Sequence, residues 1–135
     1  MIEAKTGLVI RYSYLWAREH DRGEESGRKD RPVCVQIIVL RRSGKEAVLL
    51  FPITSHEPHA STQALLLPET EARRAGLRSP SWIIVDEWNE EEDLQNSVSV
   101  ADPKPLGSFT RTFVQQIREA AIKAIRTRSY RSIRR

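Results

Sequence analysis

For most of this chain, apolar residues gather in short runs bounded by glycine, proline and charged residues. The stretch Leu8-Val9-Ile10-Arg11-Tyr12-Ser13-Tyr14 follows Gly7 and is rich in β-branched and aromatic residues, which predicts a first strand over 7–14. Two further runs, Pro32 to Leu40 and Ala47 to Phe51, flank Arg41-Arg42-Ser43-Gly44-Lys45-Glu46, where Ser-Gly supplies a tight turn, so an antiparallel hairpin is expected. Ala64 to Leu67 lies between Pro58 and Pro68 and reads as a short strand. Glu69 to Leu77 reads as one or two helical turns stopping at Gly76, Ser81 to Glu87 as a strand, and the alternating Ser97-Val98-Ser99-Val100 as a last strand. Only beyond Ser108 does the period change. Phe113, Ile117, Ala120, Ala121, Ala124 and Ile125 recur at helical spacing, predicting one amphipathic helix with Ser108 as its N-cap.

Between these runs lie a polar stretch from Trp16 to Asp30, with glycines and no apolar period, and an acidic loop from Asn89 to Gln95. A loop as long as the first is usually functional in a compact domain. The whole pattern is mainly β with helices: five or six short strands and one C-terminal helix, arranged as a small, strongly bent sheet or partly closed barrel. A doubly wound α/β fold is disfavoured, because strands and helices do not alternate and no glycine-rich phosphate loop follows a strand.

At 135 residues, with 39% hydrophobic and 30% charged residues, the chain has the material for one core and is short for two domains. Residues 1–125 are read as that domain and 126–135 as a basic tail. Charge sharpens the division. From Arg111 onward eight basic residues face Glu119 alone, and removing that +7 from the total of +4 leaves −3 for the preceding 110 residues. A basic end on a slightly acidic body attracts polyanions, nucleic acid first among them, although a solvated helix face with a frayed tail has the same composition. No apolar run approaches the roughly 20 residues of a membrane helix. The first residues lack a secretory pattern, and the single Cys34 can form no intrachain disulfide, so a cytoplasmic location is expected.

Several familiar catalytic arrangements are missing: no Cys-x-x-Cys, His-Glu-x-x-His or Gly-x-Ser-x-Gly occurs, and His56-x-x-His59 alone is a weak metal signal. No metal or cofactor is expected. What remains is Gly27-Arg28-Lys29-Asp30-Arg31-Pro32-Val33, a polar loop entering a buried strand, and Phe51-Pro52-Ile53-Thr54-Ser55 some twenty residues later. Proline pre-sets the extended entry of the strand. In a hairpin spanning 32–53, Arg31 and Thr54 return to the same end of the sheet under the 16–30 loop. A guanidinium there can bind a phosphodiester bidentately and stabilise a phosphorane-like transition state, with a hydroxyl beside it to donate to a phosphate oxygen. The plainer alternative is that Arg31 pairs with Asp30 or Glu87 at a sheet edge.

Gly7-Leu8-Val9-Ile10 opening a strand, Gly-x(3)-Arg-Pro-Val at 27–33, Pro-Ile-Thr-Ser at 52–55, and Leu77 leading to Ser81-Trp82-Ile83-Ile84-Val85-Asp86-Glu87 together resemble the PemK/MazF family of toxin-antitoxin growth inhibitors. The resemblance implies a small SH3-like barrel, usually a homodimer. It further implies metal-independent cleavage of single-stranded RNA to a 2′,3′-cyclic phosphate, silenced by a partly disordered acidic antitoxin. The arginine of Arg-Pro carries over to Arg31 and the threonine ending the following strand to Thr54. The acid or base of some members has no fixed counterpart here; His20, His56 and His59 are candidates by proximity, with His56 and His20 taken as catalytic and Arg28, Lys29, Ser55 and His59 as candidates for holding substrate. Two other readings stand beside the nuclease: a non-catalytic barrel toxin that binds a protein target, and a nucleic-acid-binding module working through its C-terminal helix and tail.

Overall fold

The computed structural model describes residues 5–27, 29–39, 44 and 46–135. Most of the hairpin turn expected over 41–46 lies outside these residues, as does Arg28. The architecture is mainly β, a curled, predominantly antiparallel half-barrel sheet with three helices. Strand β1 (Leu8–Tyr12) pairs with β2 (Arg31–Val39), which pairs with β3 (Glu46–Thr54), the hairpin read from the sequence.

Strand β3 is the hub, because its second edge serves two partners in turn. Val48, Leu49 and Leu50 pair with β6 (Glu87–Glu91), whereas Ile53 and Thr54 pair with β5 (Trp82–Ile84). The partner changes around Pro52, which has no N–H to offer a ladder. Strand β4 (Ala64–Leu66) extends the sheet beyond β5, and the short β7 (Gly107–Ser108) closes against β1.

Alternation along the strands divides the core between two faces. Val9, Cys34, Leu49, Phe51 and Ile53 point to one side, where helix α2 (Glu69–Arg74) and helix α3 (Arg111–Arg126) cover them with Ala72, Phe113, Ile117 and Ala121. Ile10, Tyr12, Val33, Val35, Val48 and Leu50 point to the other and pack with Tyr14 and Leu94. Burying each large side chain contributes roughly 1.5–3 kcal/mol. Helix α2 ends as expected at Gly76, whose φ of 67° suits the left-handed turn after a helix.

Five expectations need correction. The 16–30 loop contains helix α1 (Ala17–Asp21), which Glu19 makes possible by accepting the Trp16 N–H at 3.1 Å, half of a capping box. The strand expected over 81–87 and the acidic loop after it are instead two strands, β5 and β6: Trp88, Asn89 and Glu91 turn inward, so the acidic composition concealed a buried edge. Residues 97–100 contribute only the isolated bridge from Val100 to Tyr12. Helix α3 is capped by Thr110, whose hydroxyl accepts the Phe113 N–H at 3.3 Å, while Ser108 belongs to β7.

The fifth concerns the supposed tail. Residues Arg131–Arg134 form β8, parallel to β6, with Ile133 buried against Leu15 and Ala17. One apolar residue among arginines is enough to seat a strand when a partner edge is waiting. Arg135 then reaches inward, donating to Ser13 O at 2.7 Å, Asn89 Oδ1 at 2.8 Å and Ser99 Oγ at 3.0 Å.

Candidate functional site

Register brings the two carried-over residues together. The β2–β3 ladder ends with Val33 opposite Pro52, and Arg31 and Thr54 each lie two residues beyond that last pair, at the same end of the sheet. Both share the face of Val33, Val35, Val48 and Leu50, so their side chains emerge on one side at the end of the apolar surface.

A cavity of about 740 Å³ opens there, lined among others by Lys29, Arg31, Thr54, Ser55 and His56. Five of the eight candidates from the sequence therefore meet in one place. His59 lines a neighbouring cavity instead, its Nδ1 taken up by Ser61. His20 is exposed on α1 and lines neither cavity, so it is not brought to Arg31. Arg28 lies outside the described residues.

Among the described residues Arg31 forms no ion pair with Asp30 or Glu87. Its guanidinium sits on the Trp16 indole, 4.8 Å from the ring centroid, and Arg18 lies at the same distance from the same ring. Trp16 is itself held edge-on against Tyr14, with ring centroids 4.9 Å apart. Burial, and then the neighbouring Arg18 charge, lowers the Arg31 pKa below its ordinary value. Its Nε is buried and has no acceptor. The Glu19 carboxylate offsets part of the lowering, and a bound anion in the cavity would relieve the rest by its charge on the guanidinium.

Thr54 is placed by a short turn of its own. Its Oγ1 accepts the His56 N–H at 3.1 Å, which fixes the backbone of His56 beside the hydroxyl, and the hydroxyl proton is engaged only by a long 3.5 Å contact to the His56 carbonyl oxygen. Gly27 brings the polar loop against the Ser13–Tyr14 backbone, where a Cβ would collide with the Tyr14 carbonyl oxygen. The floor beyond Trp16 carries Glu87, whose Oε2 accepts from the Tyr14 hydroxyl at 2.9 Å and the Ala17 N–H at 3.0 Å. Burial raises the pKa of this carboxyl above the usual carboxylate range.

Sequence reasoning missed Trp16, Arg18 and the inward role of Glu87. The available signal was Tyr14-x-Trp16-x-Arg18 at the exit of β1, where aromatic residues run directly into a cation-rich segment. Among the described residues no group of three or more His, Cys, Asp and Glu side chains is placed to share a metal ion, and no helix is long and apolar enough to cross a membrane. No family model, curated protein or solved structure matches the chain.

Proposed function

We propose that this protein is an endoribonuclease that cuts single-stranded RNA without a metal ion, acting as the growth-inhibiting toxin of a toxin-antitoxin pair. The observation that carries the reading is Arg31, a half-buried guanidinium that lines a polar cavity together with Thr54 and makes no ion pair with Asp30 or Glu87. In the reaction the ribose 2′-oxygen attacks phosphorus and the bond to the 5′-oxygen breaks. The products are a 2′,3′-cyclic phosphate and a 5′-hydroxyl, with one proton taken from the 2′-hydroxyl and one delivered to the leaving oxygen. Arg31 stabilises the extra charge of the phosphorane, and Thr54 donates to a phosphate oxygen. His56, tied to Thr54 through the turn and lining the same cavity, is the proton carrier.

The SH3-like barrel, the homodimer, the acidic antitoxin and the cytoplasmic location belong to the same proposal and rest on the sequence resemblance. The decisive experiment incubates a mixed-sequence single-stranded RNA with the wild type and with Arg31→Ala in excess chelator. Cleavage by the wild type alone, ending in cyclic phosphate, supports the reading. Binding without cleavage would favour a nucleic-acid-binding module, and neither would favour a toxin acting on a protein target. Light scattering at micromolar concentration reads the dimer, and a monomer there counts against that part.

A further inference from the structure

A second cavity of about 570 Å³ adjoins the first, and the two share Trp16, Arg18 and Pro58 in their walls. Its far side is the turn between α3 and β8, which contributes Arg128 and Tyr130. The Tyr130 ring is stacked on Trp88, with centroids 5.3 Å apart and planes at 11°, and remains 40% exposed. It is an aromatic plate supported from behind.

Arg128 is the one described residue other than glycine with a positive φ, 53°. It occupies the position after the α3 C-cap: its N–H donates to Ile125 O at 3.1 Å, and the Ser129 N–H donates to Ala124 O at 2.9 Å. Glycine is favoured at that position because a Cβ is strained in the left-handed region. A strained arginine lining a cavity points to use of its side chain.

The carboxylates of Asp86 and Glu87 complete the wall. Asp86 Oδ2 accepts the Gln63 N–H at 3.0 Å. Carboxylate oxygens accept hydrogen bonds, so they match the exocyclic amines at the edge of cytosine, adenine or guanine, whereas uracil offers only its N3–H, set between two carbonyl oxygens that carboxylates repel.

We infer that this second cavity seats a nucleotide flanking the scissile phosphate, with its base on Tyr130, its phosphate on Arg128 and Arg18, and a preference for an amino-bearing base. This rests on the reading of single-stranded RNA as substrate. The test is fluorescence anisotropy with labelled 2′-O-methyl oligocytidylate, oligoadenylate and oligouridylate, which lack the 2′-hydroxyl and cannot be cut. Tyr130→Ala should raise Kd by about tenfold, the scale of one lost base stack. Tyr130→Phe should stay within about twofold of wild type, because the stacking plate is kept. Arg128→Gly should weaken binding and lower the slope of log Kd against log salt by about one, while raising Tm as the backbone strain is released. The oligocytidylate and oligoadenylate should bind more tightly than the oligouridylate, a difference that shrinks in Asp86→Asn.

Arg128→Gly and Tyr130→Phe keep the test informative should Tyr130→Ala unfold. Wild-type affinity and salt slope in Arg128→Gly, or equal binding of the three oligonucleotides, would overturn the inference. A wild type that shows the expected binding pattern yet cuts no RNA supports the subsite and overturns the nuclease. One that cuts RNA but binds without regard to Tyr130 and Arg128 overturns the subsite alone.

Discussion

The Arg31 guanidinium lies 4.8 Å from the centroid of the Trp16 indole, and that contact holds a cation at the mouth of β2 with no ion pair to Asp30 or Glu87, the Glu19 carboxylate acting on its charge from nearby. An ion pair would have filled the guanidinium's donors. An aromatic face holds the charge through its quadrupole and leaves the donor edge open.

Replacing Arg31 with Ala should abolish RNA cleavage and growth inhibition and leave Tm within a few degrees of wild type. A half-buried side chain whose Nε has no acceptor contributes little to folding. Arg31→Lys should recover little activity, because a point charge cannot reproduce the planar fork. Cleavage assays paired with thermal melts check both, and loss of activity through unfolding would remove Arg31 from the catalytic role.

Trp16→Ala removes the support beneath two cations at once. RNA affinity should fall by roughly tenfold, given about 0.5–2 kcal/mol for a cation–π contact, and Trp16→Phe should recover part of it. Titration of a 2′-O-methyl oligonucleotide separates this binding effect from any effect on turnover.

Arg135→Ala should lower stability by roughly 2 kcal/mol, since it leaves Asn89 Oδ1 and the Ser13 carbonyl short of a charged donor. Removing residues 128–135 should be worse, because Ile133 leaves its buried cluster and Tyr130 leaves Trp88. Denaturant melts of both variants measure it, and a truncated protein as stable as wild type would return 128–135 to the status of a solvated tail.

The Glu87 carboxyl gives a pH dependence of known sign. Burial raises its folded pKa above the ordinary 4.5, so the folded state binds this proton more tightly than the unfolded state, and the charged form weakens folding at neutral pH. Glu87→Gln keeps an acceptor for the Tyr14 hydroxyl and the Ala17 N–H and should raise Tm at pH 7. Its advantage should shrink as pH falls through the raised folded value and vanish below 4.5, where wild-type Glu87 is protonated in both states. Melts of both proteins from pH 7 to pH 4 measure the window.

Local pattern by itself determined the elements whose side chains repeat simply. The β-branched and apolar runs mark β1, β2 and β3, the helical stripe marks α3, and the arithmetic of a hairpin brings Arg31 and Thr54 to the same end of the sheet. Tertiary structure decided what composition disguised. Trp88, Asn89 and Glu91 sit in an acidic stretch and form a buried strand because β3 offers them an edge, and β8 forms among arginines because β6 offers another. Strand pairing stabilises through a partner distant in sequence, so its hydrogen bonds leave no local period to read. The site divides the same way: Arg31 and Thr54 follow from register within one hairpin, whereas the placement of Trp16 and Arg18 beside them, and of Tyr130 and Arg128 next door, depends on where two loops and a late strand come to rest against the sheet.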